Sequence, residues 1–241
     1  MNDIHPPQLP HGDLDEILPG VFFVTGQVRP EFGGNKVQFS RNMIVVKDGD
    51  ALTLVNTLRL DEARLAQLEA IGAVQNIVKL GAFHGRDDAF YRDRYDAPVW
   101  APENMPHERG VKTDLALTPD APGPVSDGSA FVFETAATAE AILRLDRSDG
   151  ILLSCDSLQN WTGPDEYFDD ASAKSMDARG FFKEANIGPG WRNAAKPDAS
   201  DFSRLLKLKF AHLLSAHGEP LLDRAHAAIS KTIATAYGQP S

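Results

Sequence analysis

The sequence predicts a layered α/β fold in which two β-sheets are flanked by helices. Three observations carry this expectation. Short β-rich runs bounded by turn residues fill the first half of the chain. Helical periodicity follows the first strands and returns at the end. Polar residues gather where strands stop rather than along them, which is how layered α/β domains assemble sites from distant sequence. The 241 residues suffice for one generous domain, and 42% hydrophobic content suits a sizeable core. No disulfide is needed to hold a core of that size.

The elements follow in order. Residues 1–20 are rich in Pro, Asp and His and read as a loose N-terminal arm, leaving 21–241 as a single domain. VFFVTGQV, from Val21, reads as a first strand. FSRNMIVVKDGDALTLVN reads as two strands joined by a turn at Lys47-Asp48-Gly49-Asp50, where Asp-Gly supplies hairpin chemistry. Asp61 can cap a helix through EARLAQLEAIG, with Leu65, Leu68 and Ile71 at helical spacing and Gly72 as the stop. VQNIVKL is a strand running into the polar loop GAFHGRDD, followed by a short helix FYRDRY and a strand PVWAP. APGPVSDG is a turn-rich connector, after which FVFE and AILRLD read as paired strands and ILLSCD as a buried strand ending in a carboxylate. Trp161 to Ala199 reads as a long irregular loop, the kind that is functional or forms a lid. A helix begins at SDFSRLLKL, capped by Ser200 or Asp201. FAHLLSAHG is a strand, and a last helix runs from Pro220 to about Tyr237.

The formal net charge of −10 argues against a nucleic-acid backbone or an anionic membrane as partner; solubility is its simplest reading. No apolar run approaches a membrane span. The start, MNDIHPPQLPHGDLDE, lacks the basic–apolar–small order of a signal peptide, and Cys155 is the single cysteine. These features lead us to expect a cytoplasmic protein whose partner is a small-molecule ligand or substrate.

Four polar residues stand at strand ends: His84 and Asp88 after IVKL, Asp156 after ILLSC, and His217 after HLLSA. Imidazole and carboxylate are ligands that zinc or iron accepts. Each residue alone is better explained as a cap or turn; the order of all four is what raises the metal reading. Arg86, Asp87 and Cys155 fall in the same cleft, with Cys155 most simply a buried packing residue. His107 reads as an exposed loop residue and His212 as facing the core or a helix. Asp169-Asp170 reads as a solvated turn. The aromatic residues from Trp161 to Trp191 either pack the long loop or line a pocket.

The sequence resembles the metallo-β-lactamase superfamily, over roughly Val21 to Ala228. The family motif His-x-His-x-Asp-His aligns with His84-Gly85-Arg86-Asp87-Asp88-Ala89, keeping His84 and Asp88 but placing Arg86 and Ala89 where histidines stand. Ala137 stands at the Gly-His-Thr histidine. Cys155-Asp156 fits the bridging aspartate, and Ala216-His217-Gly218-Glu219-Pro220 fits the final histidine turn. Asn56 stands where an aspartate is frequent. The resemblance implies a four-layer αββα sandwich with a degenerate metal site drawn from His84, Asp88, Asp156 and His217. It allows either no metal or one divalent ion, zinc or iron.

Two functions remain open on these residues. One is a non-catalytic or ligand-binding protein in which Arg86 enters the cleft and either holds an anionic ligand or closes the site by pairing with Asp88, Asp156 or both. The other is a mononuclear hydrolase of an ester, amide or phosphoester, its metal held by Asp88, Asp156 and His217, with Asp88 also the catalytic group of the family pattern. A dinuclear centre is not expected, because Arg86, Ala89 and Ala137 remove three ligands.

Overall fold

The computed structural model describes residues 5–32, 34–119 and 121–238. The first half comprises β1 (Asp15–Leu18), β2 (Val21–Val28), the short pair β3 (Glu31–Phe32) and β4 (Asn35–Lys36), β5 (Phe39–Asp48), β6 (Ala51–Val55), α1 (Glu62–Ile71), β7 (Ala73–Val78), α2 (Asp88–Tyr95), β8 (Val99–Ala101) and β9 (Leu115–Ala116). All but β3 and β4 join one seven-stranded sheet in the order β1-β2-β5-β6-β7-β8-β9. The β5–β6 hairpin turns where Gly49 takes φ +61°, a left-handed conformation that glycine adopts without penalty. Asp61 caps α1 by accepting from Arg64 N at 2.8 Å, as its position predicts.

The second half comprises β10 (Gly128–Val132), β11 (Ala141–Leu145), β12 (Ile151–Ser154), β13 (Leu158–Trp161), α3 (Asp170–Ala178), β14 (Lys183–Ile187), α4 (Pro189–Ala195), α5 (Ala199–Leu205), β15 (His212–Ser215) and α6 (Ala225–Tyr237). β10-β11-β12-β15 form a second sheet, and β13 pairs with β14.

Strand alternation sorts the apolar residues into three layers of core. On β5, Met43 and Val45 face Leu65 and Leu68 of α1 and Tyr91 of α2. The intervening Ile44 and Val46 face Leu143, Leu153 and Leu214 of the second sheet. On that sheet, Ile142, Leu152 and Leu213 turn to the far side against Trp191, Phe202, Ile229 and Ile233. A period of two along each strand therefore gives helix–sheet–sheet–helix, the αββα sandwich. Each fully buried leucine stabilises it by about 1.5–3 kcal/mol over exposure.

Several local expectations need correction. The supposed loose arm lies along the domain: β1 pairs with β2, Gly12 N donates to Thr25 O at 2.8 Å, and Leu14 is buried in the core. Pattern reading misses such a segment because its proline content hides one short edge strand. The stretch from Trp161 to Ala199 is not irregular but carries α3, β14 and α4. Within it Asp169 is no solvated turn residue; it caps α3, accepting from Ser172 N at 2.7 Å. The cap position of α5 is Asp198, not Ser200 or Asp201. Asp201 instead accepts from the backbone N–H groups of Glu134 and Thr135, both at 3.0 Å. The last helix starts at Ala225 because residues before it pair back: Leu221 bridges Leu213.

Candidate metal centre

Register places two of the site residues. β12 and β15 run parallel with Ser154 opposite Ser215, so Asp156 and His217, each two residues further on, emerge side by side. The third comes from the first sheet. His84 follows β7, and the chain there is tied to the second sheet by Ala141 N donating to Leu80 O at 2.8 Å. Two buried asparagines lock the sheets together beneath the site. Asn56 Nδ2 donates to Ser154 O at 2.8 Å, and Asn42 Nδ2 to Ser215 O at 2.9 Å and Gly218 O at 2.7 Å. Asn56 takes φ +55°, which asparagine tolerates better than most residues. That is a structural role for the position where the resemblance expects aspartate.

The three side chains converge. His84 Nε2 lies 3.4 Å from Asp156 Oδ2, His217 Nε2 lies 3.3 Å from Asp156 Oδ1, and the two imidazole Nε2 atoms are 3.2 Å apart. Ligands bonded at about 2.0–2.1 Å around a tetrahedral ion stand about 3.3–3.4 Å apart, so this donor set fits one divalent metal. All three residues are buried. Burial pushes the His84 pKa down against the pull of Asp156. Burial alone would raise the pKa of Asp156, but His84 and His217 more than offset it and hold the carboxyl well below the usual range. A neutral imidazole and an ionised carboxylate are the forms that bind metal. His217 is oriented by Trp161, stacked on it at 4.9 Å and 13°, and by an Nδ1 contact to Ser40 O at 3.3 Å. Such a contact on the second nitrogen presents Nε2 to an ion. Nδ1 of His84 is buried with no hydrogen-bond partner.

Asp88 does not join them. It opens α2, buried, with Oδ1 accepting from Thr57 Oγ1 at 2.6 Å. Among the described residues its carboxylate belongs to no cluster of closely spaced metal-ligating atoms. Burial raises its pKa against the Thr57 hydrogen bond and nearby Lys79. The donors that the structure brings within reach of one ion are therefore His84, Asp156 and His217, and the expected trio of Asp88, Asp156 and His217 does not converge.

Arg86 also departs from expectation. It pairs with neither Asp88 nor Asp156 but with Asp87 Oδ1 at 2.5 Å, and its second nitrogen donates to Pro7 O at 2.6 Å. The carboxylate that attracts it is its neighbour, which is fully buried and also grips Arg41 at 2.8 Å. Arg41, which donates to Thr57 O as well, is the residue that sequence reasoning missed. The signal was present: an arginine inside FSRNMIVV, an otherwise apolar strand, must find a carboxylate.

Cys155 is buried, and burial with Asp156 and Glu140 nearby pushes its pKa well up, so it stays a thiol. It packs with Glu140, another buried acid absent from the sequence reading. Both press on Gly81, where a Cβ would sit 2.6 Å from Glu140 Oε2 and 2.7 Å from Cys155 Sγ. Glu140 Oε1 accepts from Ser157 N at 2.7 Å. His107 is half-buried rather than exposed and contacts Thr113 Oγ1 at 2.8 Å, while His212 is buried as expected and accepts from Asp223 N at 3.1 Å.

The three donors stand at the wall of a cavity of about 570 Å³, within the range of small-molecule sites. Trp161, Phe181 and Trp191 of the once-irregular stretch line it, together with Phe39, Phe83 and Arg41. Among the described residues no helix is long and apolar enough to cross a membrane.

No protein-family model matches the sequence, and no curated protein matches it either. Solved structures do. A metallo-β-lactamase from Erythrobacter litoralis superposes with a TM-score of 0.57 at 18% identity, covering 91% of this chain and 89% of that one. The metallo-β-lactamase DIM-1 gives 0.62 at 14% identity, covering 95% and 99%. FIM-1 from Pseudomonas aeruginosa, in its mono-zinc form, gives 0.53 at 14% identity, covering 96% and 98%. Identities this low speak to architecture alone, and with the four layers and the strand-end site already in place, the fold of this chain is that of the metallo-β-lactamases.

Proposed function

We propose that this chain is a single-metal hydrolase of an ester, amide or phosphoester, with His84, Asp156 and His217 holding one divalent ion, zinc or iron. The observation that carries the reading is the mutual 3.2–3.4 Å spacing of three buried donors beside an open cavity. Two imidazoles and a carboxylate with an open position form a catalytic rather than a closed structural ligand set. When bound, such an ion lowers the pKa of water and polarises a carbonyl or phosphoryl oxygen.

The protein's own groups do the rest. Trp161 holds the His217 ring in place, and Asp156, shared by both histidines, sets their orientation. Arg41 lines the same cavity and is fixed in place by Asp87 and Thr57, which hold that part of the wall rigid. Asp88, turned to Thr57, is not offered as the base. A second ion has few ligands left, since Ala89 and Ala137 bear none and Arg86 is engaged with Asp87. The reading in which Arg86 fills the cleft loses its support for the same reason. The single buried thiol suits a cytoplasmic setting, and the net charge of −10 suits a small-molecule substrate over nucleic acid.

Hydrolysis of 4-nitrophenyl esters and of bis(4-nitrophenyl) phosphate tests the reading, with zinc or iron(II) added to the chelated protein. Turnover that returns with metal and falls at least about a hundredfold in Asp156→Asn is expected, as for loss of a central catalytic group. No metal-dependent turnover on any of these bonds would favour a binding protein without catalysis.

A further inference from the structure

We infer that the cavity selects an amphiphilic anion: an oxyanionic head group held by Arg29 and Arg179 at the rim, with an apolar body lying towards the His84–Asp156–His217 cluster. The inference deepens the hydrolase reading and rests on it for the reaction, but not for the binding. The protein is acidic overall, with net charge −10, yet four arginines line this one cavity: Arg29, Arg41, Arg86 and Arg179. The acids lining it are Glu108 and Asp156. Asp156 is committed to the two histidines, and Arg41 and Arg86 share Asp87 behind the wall. Arg29 and Arg179 are different. Both are exposed, and neither forms an ion pair among the described residues. Arg179 donates its Nε to Ser175 O at 3.1 Å and lies 5.4 Å over the Phe181 ring, which leaves its terminal nitrogens for a ligand.

Much of the remaining wall is aromatic. Phe39, Phe181, Trp161 and Trp191 line it, and Phe83, on the loop that carries His84, is 56% exposed at the same cavity. Contiguous apolar surface of this kind, rimmed by polar groups, marks a ligand-binding groove. The guanidinium fork matches planar and tetrahedral oxyanions alike. A head group of this kind at one end and apolar contact along the body fix which end of the substrate reaches the metal ligands.

The test is calorimetric titration of the full chain with 4-phenylbutyrate, 4-phenylbutyl phosphate and the neutral 4-phenylbutyramide, as purified and again after chelation. The two anions should bind at least about tenfold tighter than the amide, the scale of one good charge-assisted hydrogen bond. The tighter of the two names the head group. In Arg29→Gln/Arg179→Gln the preference should shrink below about threefold while amide binding stays unchanged. Equal binding of acid and amide would overturn the inference. So would a preference that the double variant keeps, or one that vanishes on chelation, since the anion would then be a metal ligand. Absence of metal or turnover would sink the hydrolase reading while leaving this binding result standing.

Discussion

Asp87 is the residue on which the floor of the cavity depends, and Asp87→Asn tests that dependence. Its carboxylate is wholly buried and accepts from Arg41 at 2.8 Å and from Arg86 at 2.5 Å. The amide keeps the shape but removes the charge, leaving Arg41, only 5% exposed, as a buried cation without a counter-ion. Breaking a buried pair by removing one partner costs about 3–5 kcal/mol. Arg41 keeps its hydrogen bond to Thr57 O, so the lower end, about 3 kcal/mol, is expected. For a chain of this length that is a fall in Tm of about 6–12 °C. Urea unfolding followed by circular dichroism measures it. Arg86→Ala is the internal control: its side chain is 25% exposed, so its half of the network should contribute about 1 kcal/mol or less. Arg41→Met/Asp87→Leu, which removes both buried charges, should be more stable than Asp87→Asn. Loss of under about 1 kcal/mol in Asp87→Asn would refute the claim that this carboxylate neutralises Arg41.

Three further outcomes follow. Gly218→Ala should destabilise by at least about 2 kcal/mol, because the residue holds φ +82° and a Cβ would lie 2.1 Å from Asn160 O; Gly49→Ala, at φ +61° with open space around it, should cost only about 1 kcal/mol on the same unfolding curve. Asp127, whose pKa is held down by the Arg147 guanidinium, supplies stability above its unfolded pKa that is lost as pH falls through its folded one. Asp127→Asn should therefore lose on the order of 1 kcal/mol at pH 7 and progressively less as pH falls below the ordinary Asp range, read from unfolding across that span. Cys155→Ser should leave metal content unchanged, since the thiol is buried and protonated; loss of metal in that variant would place the sulfur among the ligands.

Much of this architecture was legible from strand and helix periods. Met43 to Val46 alternate between two cores, and Leu65 and Leu68 recur at helical spacing. The site was legible as far as strand ends allow: the β12–β15 register sets Asp156 beside His217, and His84 meets them from the loop after β7 in the other sheet. Asp88 misled because a motif position states where a residue lies in the chain, not which way it turns, and the Thr57 hydroxyl captures its carboxylate. Arg86 misled for a related reason: the adjacent Asp87 captures its guanidinium while also gripping Arg41. Residues 162–199 were opaque because α3, β14 and α4 are each under ten residues and packed by scattered aromatics, too short for a period to emerge. The N-terminal segment was opaque because its order comes from tertiary partners, such as Gly12 on Thr25 and Arg86 on Pro7.

The central claim is that one metal is held by His84, Asp156 and His217 and not by Asp88. Elemental analysis of the dialysed protein after loading with zinc, alongside His84→Ala, Asp156→Ala, His217→Ala and Asp88→Ala, tests it most directly. The account expects one zinc per chain in the parent and in Asp88→Ala, and a fraction well below one in each of the other three. Two tightly bound ions per chain, or loss of zinc in Asp88→Ala with retention in His84→Ala, would contradict it.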